Sequence, residues 1–423
     1  MNFDNFNEIE ITDKDMLLSN AKEAEMNIRI SPYSAITNAR AALERLCKSL
    51  IKANNSDQIR PANGQPNLAT MIDTCLRDGL FTQEEAAANI RKNGNDILHP
   101  NKTSQKLHVV NEKNVNTAMG SVRDLYLIFS EAFKNVRADE FDELKIPFGN
   151  YEIVRPVKKS KNEIIVGDYN YFVKDPHENY YYFQIYHKNS NVESENQLGH
   201  RGILAGNTIK GSKRRKSYLL DMYYPNSELL SDSDREYVAY SVYSDSMLLS
   251  ETKSGMFSDR QIVQIACDLL NSLMELRKIG NGISHRNIQP GNIIITPMDG
   301  DYMAGLVNME TAKIEGNDTT ITIYGSLQKT VYEENPYLPL EVIIGDGVAD
   351  ALWNKADVYS VAKVMVYCKD HDAVKAQIDE KVLYDLFPEE IADLLADVLG
   401  SSLKAIDDAP EFMEKLEDAI EEL

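Results

Sequence analysis

The hydrophobic period of this chain changes once, near residue 150, and that change excludes any fold built from one kind of element. Before it, apolar residues recur at i, i+3 and i+4, most clearly in SAITNARAALERLCKSLIKA over 34–53, which is the spacing of an amphipathic helix. The pattern predicts helices over 13–26, 34–53, 68–78, 82–98 and 112–134, and their short connections imply an antiparallel bundle. Thr82 followed by Glu85 is a capping-box signal for the fourth helix, and Pro100 is expected to end it. The charged stretch VRADEFDELKIP, 136–147, reads as a connector. After it come aromatic and β-branched runs at 163–167, 169–174, 180–187, 218–224 and 237–243, separated by turn residues, which predict strands. From 258 onwards helical periodicity dominates. Strands followed by helices indicate an α+β domain with a small sheet lobe and a larger helical lobe. The expected division is 1–135, a linker at 136–149, a small lobe at 150–245 and a large lobe at 246–423. The polar stretch 189–216, with the basic run KRRK at 213–216, reads as an exposed loop.

Charge is distributed as unevenly as periodicity. Residues 1–140 carry 17 basic and 19 acidic side chains, whereas the remainder carries 28 basic and 47 acidic ones. In 371–423 alone, 16 acidic side chains face 4 basic ones. Such a surface repels phosphate backbones, so any RNA binding is expected within residues 1–135. No apolar run reaches the roughly 18 residues of a membrane span, and the acidic start MNFDNFNEIE has no secretory h-region, so no membrane association and a cytoplasmic location are expected. Cys47, Cys75, Cys267 and Cys368 form no CxxC pair and read as free buried thiols.

The most informative segment is ISHRNIQPGNIII, 283–295, which follows a long amphipathic helix and ends in an apolar strand. It resembles the catalytic loop of protein kinases, H-R-D-L-K-P-x-N before a buried strand. His285, Arg286, Pro290 and Asn292 match, while Asn287 and Gln289 stand where that loop has its aspartate and lysine. Further landmarks follow in the same order. Asn308, Met309 and Glu310 occupy the places of D-F-G; Glu341 in YLPLEV resembles the acid closing the activation segment; Asp357 in KADVYSVAKVMVY resembles the aspartate that braces the loop backbone. The resemblance covers about 150–423 and implies a bilobal protein-kinase-like domain.

What it implies about chemistry is negative. Phosphoryl transfer needs a carboxylate for the substrate hydroxyl and another on magnesium. Asn287 cannot accept that proton, Asn308 offers one neutral oxygen, and Gln289 carries no charge; of the catalytic set only Asn292 remains. The glycine-rich loop is reduced to Gly167, with Tyr169 and Phe172 in the other glycine places. The β3 lysine falls in FQIYHK, where register favours Tyr186 and the nearest lysine is Lys188; Glu193 and Glu195 are the candidates for its partner acid. Glu341 lacks the late arginine such an acid normally pairs with, because Arg286 is the last arginine in the chain. ATP and magnesium binding are therefore not expected, and no cofactor is.

The first 135 residues resemble HEPN-like helical bundles of bacterial toxin, antitoxin and phage-defence proteins, on SPYSAITNARAALERLCKSLI, LATMIDTCLRDGLF and IRKNGNDILHP. Arg91, Asn95 and His99 lie at i, i+4 and i+8 on one helix face, although the Arg-to-His spacing is longer than in the nucleases of that superfamily. Two readings stay open for them: hydrogen bonding that closes the helix end, or a cation and an imidazole acting on an RNA phosphate. Such bundles commonly dimerise, which implies a homodimer through this region. The resemblances together imply a pseudokinase in a regulatory or scaffolding role with a protein partner, with bacterial defence or toxin regulation as the expected setting. A ribonuclease effector controlled by the kinase-like part, and a divergent phosphotransferase, are the alternatives.

Overall fold

The computed structural model describes residues 1–60, 64, 66–98, 112–136, 138–148, 151–158, 169–187, 193–213, 217–223, 235–316, 335–344 and 350–421. The fold is mixed α+β. It divides into two compact units, the first comprising Met1–Pro156, Val173–Glu178 and Pro225–Glu236, and the second Val157–Phe172, Asn179–Tyr224 and Tyr237–Leu423.

The first unit is helical. Its helices are α1 (Lys14–Asn27), α2 (Pro32–Ala53), α3 (Leu68–Arg77), α4 (Glu84–Leu98) and α5 (Glu112–Ala132). The apolar stripe read from 34–53 is the buried face of α2, carried by Ala35, Ile36, Ala39, Leu43, Leu46 and Leu50, and all four other helices pack on it. Ser31 caps α2 by accepting the Ser34 N–H, with Pro32 in the first turn, where its missing N–H costs nothing. Phe3 and Phe6 are fully buried against Tyr126 and Phe129, with ring centroids 5.2 to 5.5 Å apart and mostly edge-on. A buried carboxylate holds that segment in place. Glu25 accepts the Asn2 N–H and side-chain amide at 2.7 and 2.8 Å and the Phe3 N–H at 3.3 Å, and burial raises its pKa. Asn2 also exchanges hydrogen bonds with the Asp142 backbone, at 2.9 and 2.8 Å, and Ile146 is fully buried. The stretch expected as a charged connector therefore packs on the helices.

The expected capping box at Thr82 does not form. The Thr82 N–H and hydroxyl both donate to the Glu131 carboxylate on α5, at 2.8 and 2.7 Å, and α4 begins at Glu84. A charged acceptor on a neighbouring helix outcompetes the local partner. Pro100 lies outside the described residues.

After the helices, the strands β1 (Glu152–Lys158), β2 (Tyr169–Lys174), β3 (Tyr180–His187), β4 (Met222–Tyr223) and β5 (Arg235–Val242) contribute to a sheet of order β1-β2-β3-β5-β4, with β4 antiparallel to β5. The sequence did not announce β1, and the strand expected at 163–167 lies outside the described residues. Between β3 and β4, the polar stretch read as an exposed loop is instead a helix, α6 (Glu193–Gly211), which packs on β3. Its buried face is Arg201, Ala205 and Ile209, at i, i+4 and i+8. The strand expected over 218–224 shrinks to two residues because the N–H groups of Ser217, Tyr218 and Leu219 all turn to the Glu275 carboxylate, at 2.8 to 3.2 Å.

The remainder begins with the short strand β6 (Met247–Leu248) and the long helix α7 (Asp259–Arg277), whose Ser258–Gln261 capping box starts it where the sequence suggests. Then come β7 (Ile283–Ser284), β8 (Ile293–Met298), β9 (Asp301–Leu306), β10 (Lys313–Ile314), α8 (Leu340–Ile344), α9 (Asp350–Lys369), α10 (Glu380–Leu386), α11 (Glu389–Gly400) and α12 (Ala409–Glu421). Helix α9 packs against α7, α11 and α12 and is buried on several faces, which is why its apolar residues do not gather into a single stripe.

One close approach in the helical unit is testable. A Cβ at Gly94 on α4 would lie 2.9 Å from both Cβ and Cγ of Arg40 on α2. Gly94→Ala should gain about 1 kcal/mol of helix propensity yet lower stability overall, by about 1 kcal/mol or more. In an Arg40→Ala background the same substitution should raise stability. Urea unfolding of the two pairs reads the change of sign.

Candidate functional site

Two small sheets assemble the site. The β8–β9 hairpin pairs Ile293 with Leu306 and turns tightly at Asp299 and Gly300, both at positive φ. Its register places Asn292, just before β8, beside Val307 and Asn308, just after β9, and the Val307 N–H donates to the Asn292 carbonyl at 3.0 Å. Strands β7 and β10 pair Ser284 with Lys313, which brings His285 beside Thr311; the Thr311 hydroxyl donates to the His285 carbonyl at 3.1 Å. Residues 285–292 and 307–312 are thus clamped together at both ends.

Asp357, on α9, holds the loop from behind. Its two carboxylate oxygens accept the N–H groups of His285, at 2.9 Å, and Arg286, at 2.8 Å. Arg286 has φ 68°, a left-handed conformation that costs a non-glycine residue of order 1–3 kcal/mol and persists only when its surroundings enforce it. Its guanidinium lies over the Trp353 ring, 4.3 Å from the centroid. Burial pushes the Asp357 carboxyl up to about 7, against the pull of the two N–H donors and Arg286.

His285 is fully buried and neutral. Nε2–H donates to the Val307 carbonyl at 3.0 Å, and Nδ1 accepts the Asn287 N–H at 3.3 Å, so one tautomer satisfies both ring nitrogens. Burial lowers its pKa to about 4.

Asn287, Asn292, Asn308 and Asn335 form a chain of amides. The Asn292 side-chain NH2 donates to the Asn287 carbonyl at 2.7 Å, and the Asn308 NH2 donates to Asn292 Oδ1 at 3.0 Å, so both ends of Asn292 are engaged within the protein. Asn287 Oδ1 accepts from Asn335 at 3.3 Å. Asn308 is also at positive φ, 69°, and its N–H donates to Gln184 Oε1 at 3.0 Å and to the Tyr240 hydroxyl at 3.3 Å. Its Oδ1 is buried without a hydrogen-bond partner. A hard divalent cation takes about six oxygens, several of them carboxylates; this arrangement presents one neutral oxygen. Among the described residues, no group of three or more His, Cys, Asp and Glu could hold a metal ion.

On β3, Gln184 reaches Asn308, a contact that the sequence reading did not include. Sequence reasoning missed it because it sought a cation, and a glutamine in FQIYHK carries no such signal. It also missed Tyr182 and Tyr240, each nearly fully buried, their rings 6.5 Å apart, with Phe172 packed on Tyr182 at 5.2 Å. Of these rings, Tyr240 reaches Asn308 through its hydroxyl. Gln289 is buried. Glu341 resolves its missing arginine by accepting the Leu403 N–H at 2.8 Å, a backbone partner in place of a side chain. Glu193 and Glu195 fall at the start of α6. Gly167 and Lys188 lie outside the described residues.

In the helical unit, Arg91 and Asn95 are half-buried on α4, one turn apart, and His99 lies outside the described residues. Asn93, between them, donates to the Ser121 hydroxyl at 3.0 Å and ties α4 to α5.

No protein-family model matches this chain, and no curated protein matches its sequence significantly.

Two outcomes follow from the geometry of the loop. Asp357→Ala leaves two buried N–H groups unsatisfied and should cost about 3 kcal/mol or more. Asp357→Asn keeps one acceptor and should fall between this variant and the parent in urea unfolding. The second concerns pH. His285 has a folded pKa of about 4 against an ordinary value of 6.5, so the unfolded chain binds more protons in that window. Its contribution is fully present above pH 6.5 and is lost as pH falls towards 4. The stability gap between the parent and His285→Gln should therefore narrow over that range by about 3 kcal/mol, read by unfolding at pH 7, 5.5 and 4.5.

Proposed function

We propose that residues 150–423 form a bilobal protein-kinase-like domain that has lost phosphotransfer and acts as a regulatory or scaffolding pseudokinase for a protein partner. The HEPN-like helical region then mediates assembly, as a homodimer. One observation carries the reading: the loop 285–292 is held as a reactive loop would be, while its chemical positions are occupied by amides bonded to one another. The Asp357 grip and the left-handed Arg286 fix a loop shape that costs energy to maintain. Asn287, Asn292 and Asn308 supply neither a base nor a charged metal ligand at that loop, and Gln184 and Gln289 supply no cation. Helix α6, following β3 and packed on it, supports the small-lobe assignment.

The retained shape, without its chemistry, is what a binding platform requires. General acid–base help is worth about 10²–10⁴ in rate, and losing it together with cationic stabilisation leaves negligible turnover. The buried Tyr182 and Tyr240 rings further disfavour a nucleotide beside Asn308.

A thermal-shift titration with ATP, with and without magnesium, tests the reading. No magnesium-dependent rise in Tm is expected; a rise of several degrees, as a ligand at about 100 times its Kd would produce, overturns it. Asn287→Asp combined with Asn308→Asp should restore no phosphate transfer from labelled ATP, because Gln184, Gln289 and the tyrosines remain.

A further inference from the structure

A cavity of about 300 Å³ opens in the second unit between α7, the start of α9 and the start of α12. Leu273, Met274, Ala409 and Pro410 give the lining an apolar part. The lining also holds three donor groups: the Asn354 side-chain amide, the Arg277 guanidinium and the Lys278 ammonium. Asn354 Oδ1 already accepts from the Ser284 hydroxyl at 3.2 Å, while its Nδ2 is buried with no partner in the protein. A buried N–H donor without an acceptor costs about 1–3 kcal/mol, so Asn354, a residue of the cavity lining, carries an unsatisfied donor.

We infer that this cavity binds a small molecule with an apolar body and a carboxylate head, the head accepting from Asn354 Nδ2 and facing Arg277 and Lys278. Two acids, Asp357 and Asp408, share the lining, and the Asp357 charge acts on Arg277. Both oxygens of Asp357 are occupied by the loop N–H groups of His285 and Arg286. Glu315 pairs with Arg277 through Nη1 alone, which leaves the rest of the guanidinium fork for a ligand. Asp408 is exposed at the mouth. The apolar wall suits a flat or flexible body, since Met274 adapts its shape and its sulfur packs well on aromatic rings. The size is at the lower end for ligand cavities.

The position gives binding a consequence. The ligand would touch Asn354 and Asp357, the two α9 residues that hold Ser284, His285 and Arg286. Occupancy would therefore stiffen the back of the same loop. This site is defined by its own residues, so silence towards ATP neither supports nor overturns it.

The test uses three probes with one body and different heads: 2-naphthoate, 2-naphthylmethanol and 2-naphthylmethylamine, titrated into the full chain by calorimetry. The carboxylate is expected to bind one to one and most tightly, the alcohol more weakly and the amine not at all. Asn354→Ala, and Met274→Trp, which fills the apolar end, should each weaken the carboxylate by about tenfold or more. Lys278→Ala, at an exposed position that should not disturb folding, should weaken the carboxylate and leave the alcohol unchanged. Absence of carboxylate binding, equal binding of alcohol and carboxylate, or affinities unchanged in folded Met274→Trp and Lys278→Ala each overturn the proposal.

Discussion

A carboxylate that grips two consecutive backbone amides is the constraint on which the second unit depends. Asp357 fixes the peptide groups of His285 and Arg286, and that fixes where every later residue of the loop can go. The neutral imidazole of His285 then joins the loop to Val307. From there the hairpin register delivers Asn292 and Asn308 to each other. None of these steps uses the side chains at 287 or 289, which explains how the loop keeps its shape with amides in those places.

The same device recurs wherever this chain must hold an irregular segment. Glu25 holds Asn2 and Phe3, Glu275 holds Ser217 to Leu219, Asp268 holds Ala304, and Glu341 holds Leu403. Burial raises the pKa of Glu25, Asp268 and Asp357, so these acids carry a desolvation cost that their hydrogen-bond donors offset only in part. Part of the chain's acidity is therefore internal scaffolding. A surface reading of net charge overlooks that part, because carboxylates bonded to amides present little field to a partner.

Much of the fold was legible because hydrophobic period is a direct imprint of which face is buried. The α2 stripe and the long helix α7 ahead of the loop could be read directly. Helix α6 could not, since its buried face uses Arg201, Ala205 and Ile209 among several glycines, which weakens both the apolar period and helix propensity. The partner of Glu341 was equally hidden, because a backbone N–H leaves no trace in residue type. Gln184 was missed for a related reason: its role is set by where β3 passes Asn308, and only the packed fold shows which residue of the strand faces it. The cavity beside Asn354 is legible only in three dimensions, being formed by residues from three separate helices.

The clasp between Asn2 and Asp142 joins groups 140 positions apart, and Asn5 reaches Tyr126 across 121. During synthesis, the segment bearing Phe3 and Phe6 emerges well before the aromatic rings that will enclose it. At typical elongation of about 5–20 residues per second, that leaves two phenylalanines without their cover for some seconds. The N-terminal segment is thus covered only by residues made long after it, and until residue 142 is free of the ribosome Phe3 and Phe6 are ones a chaperone can reach.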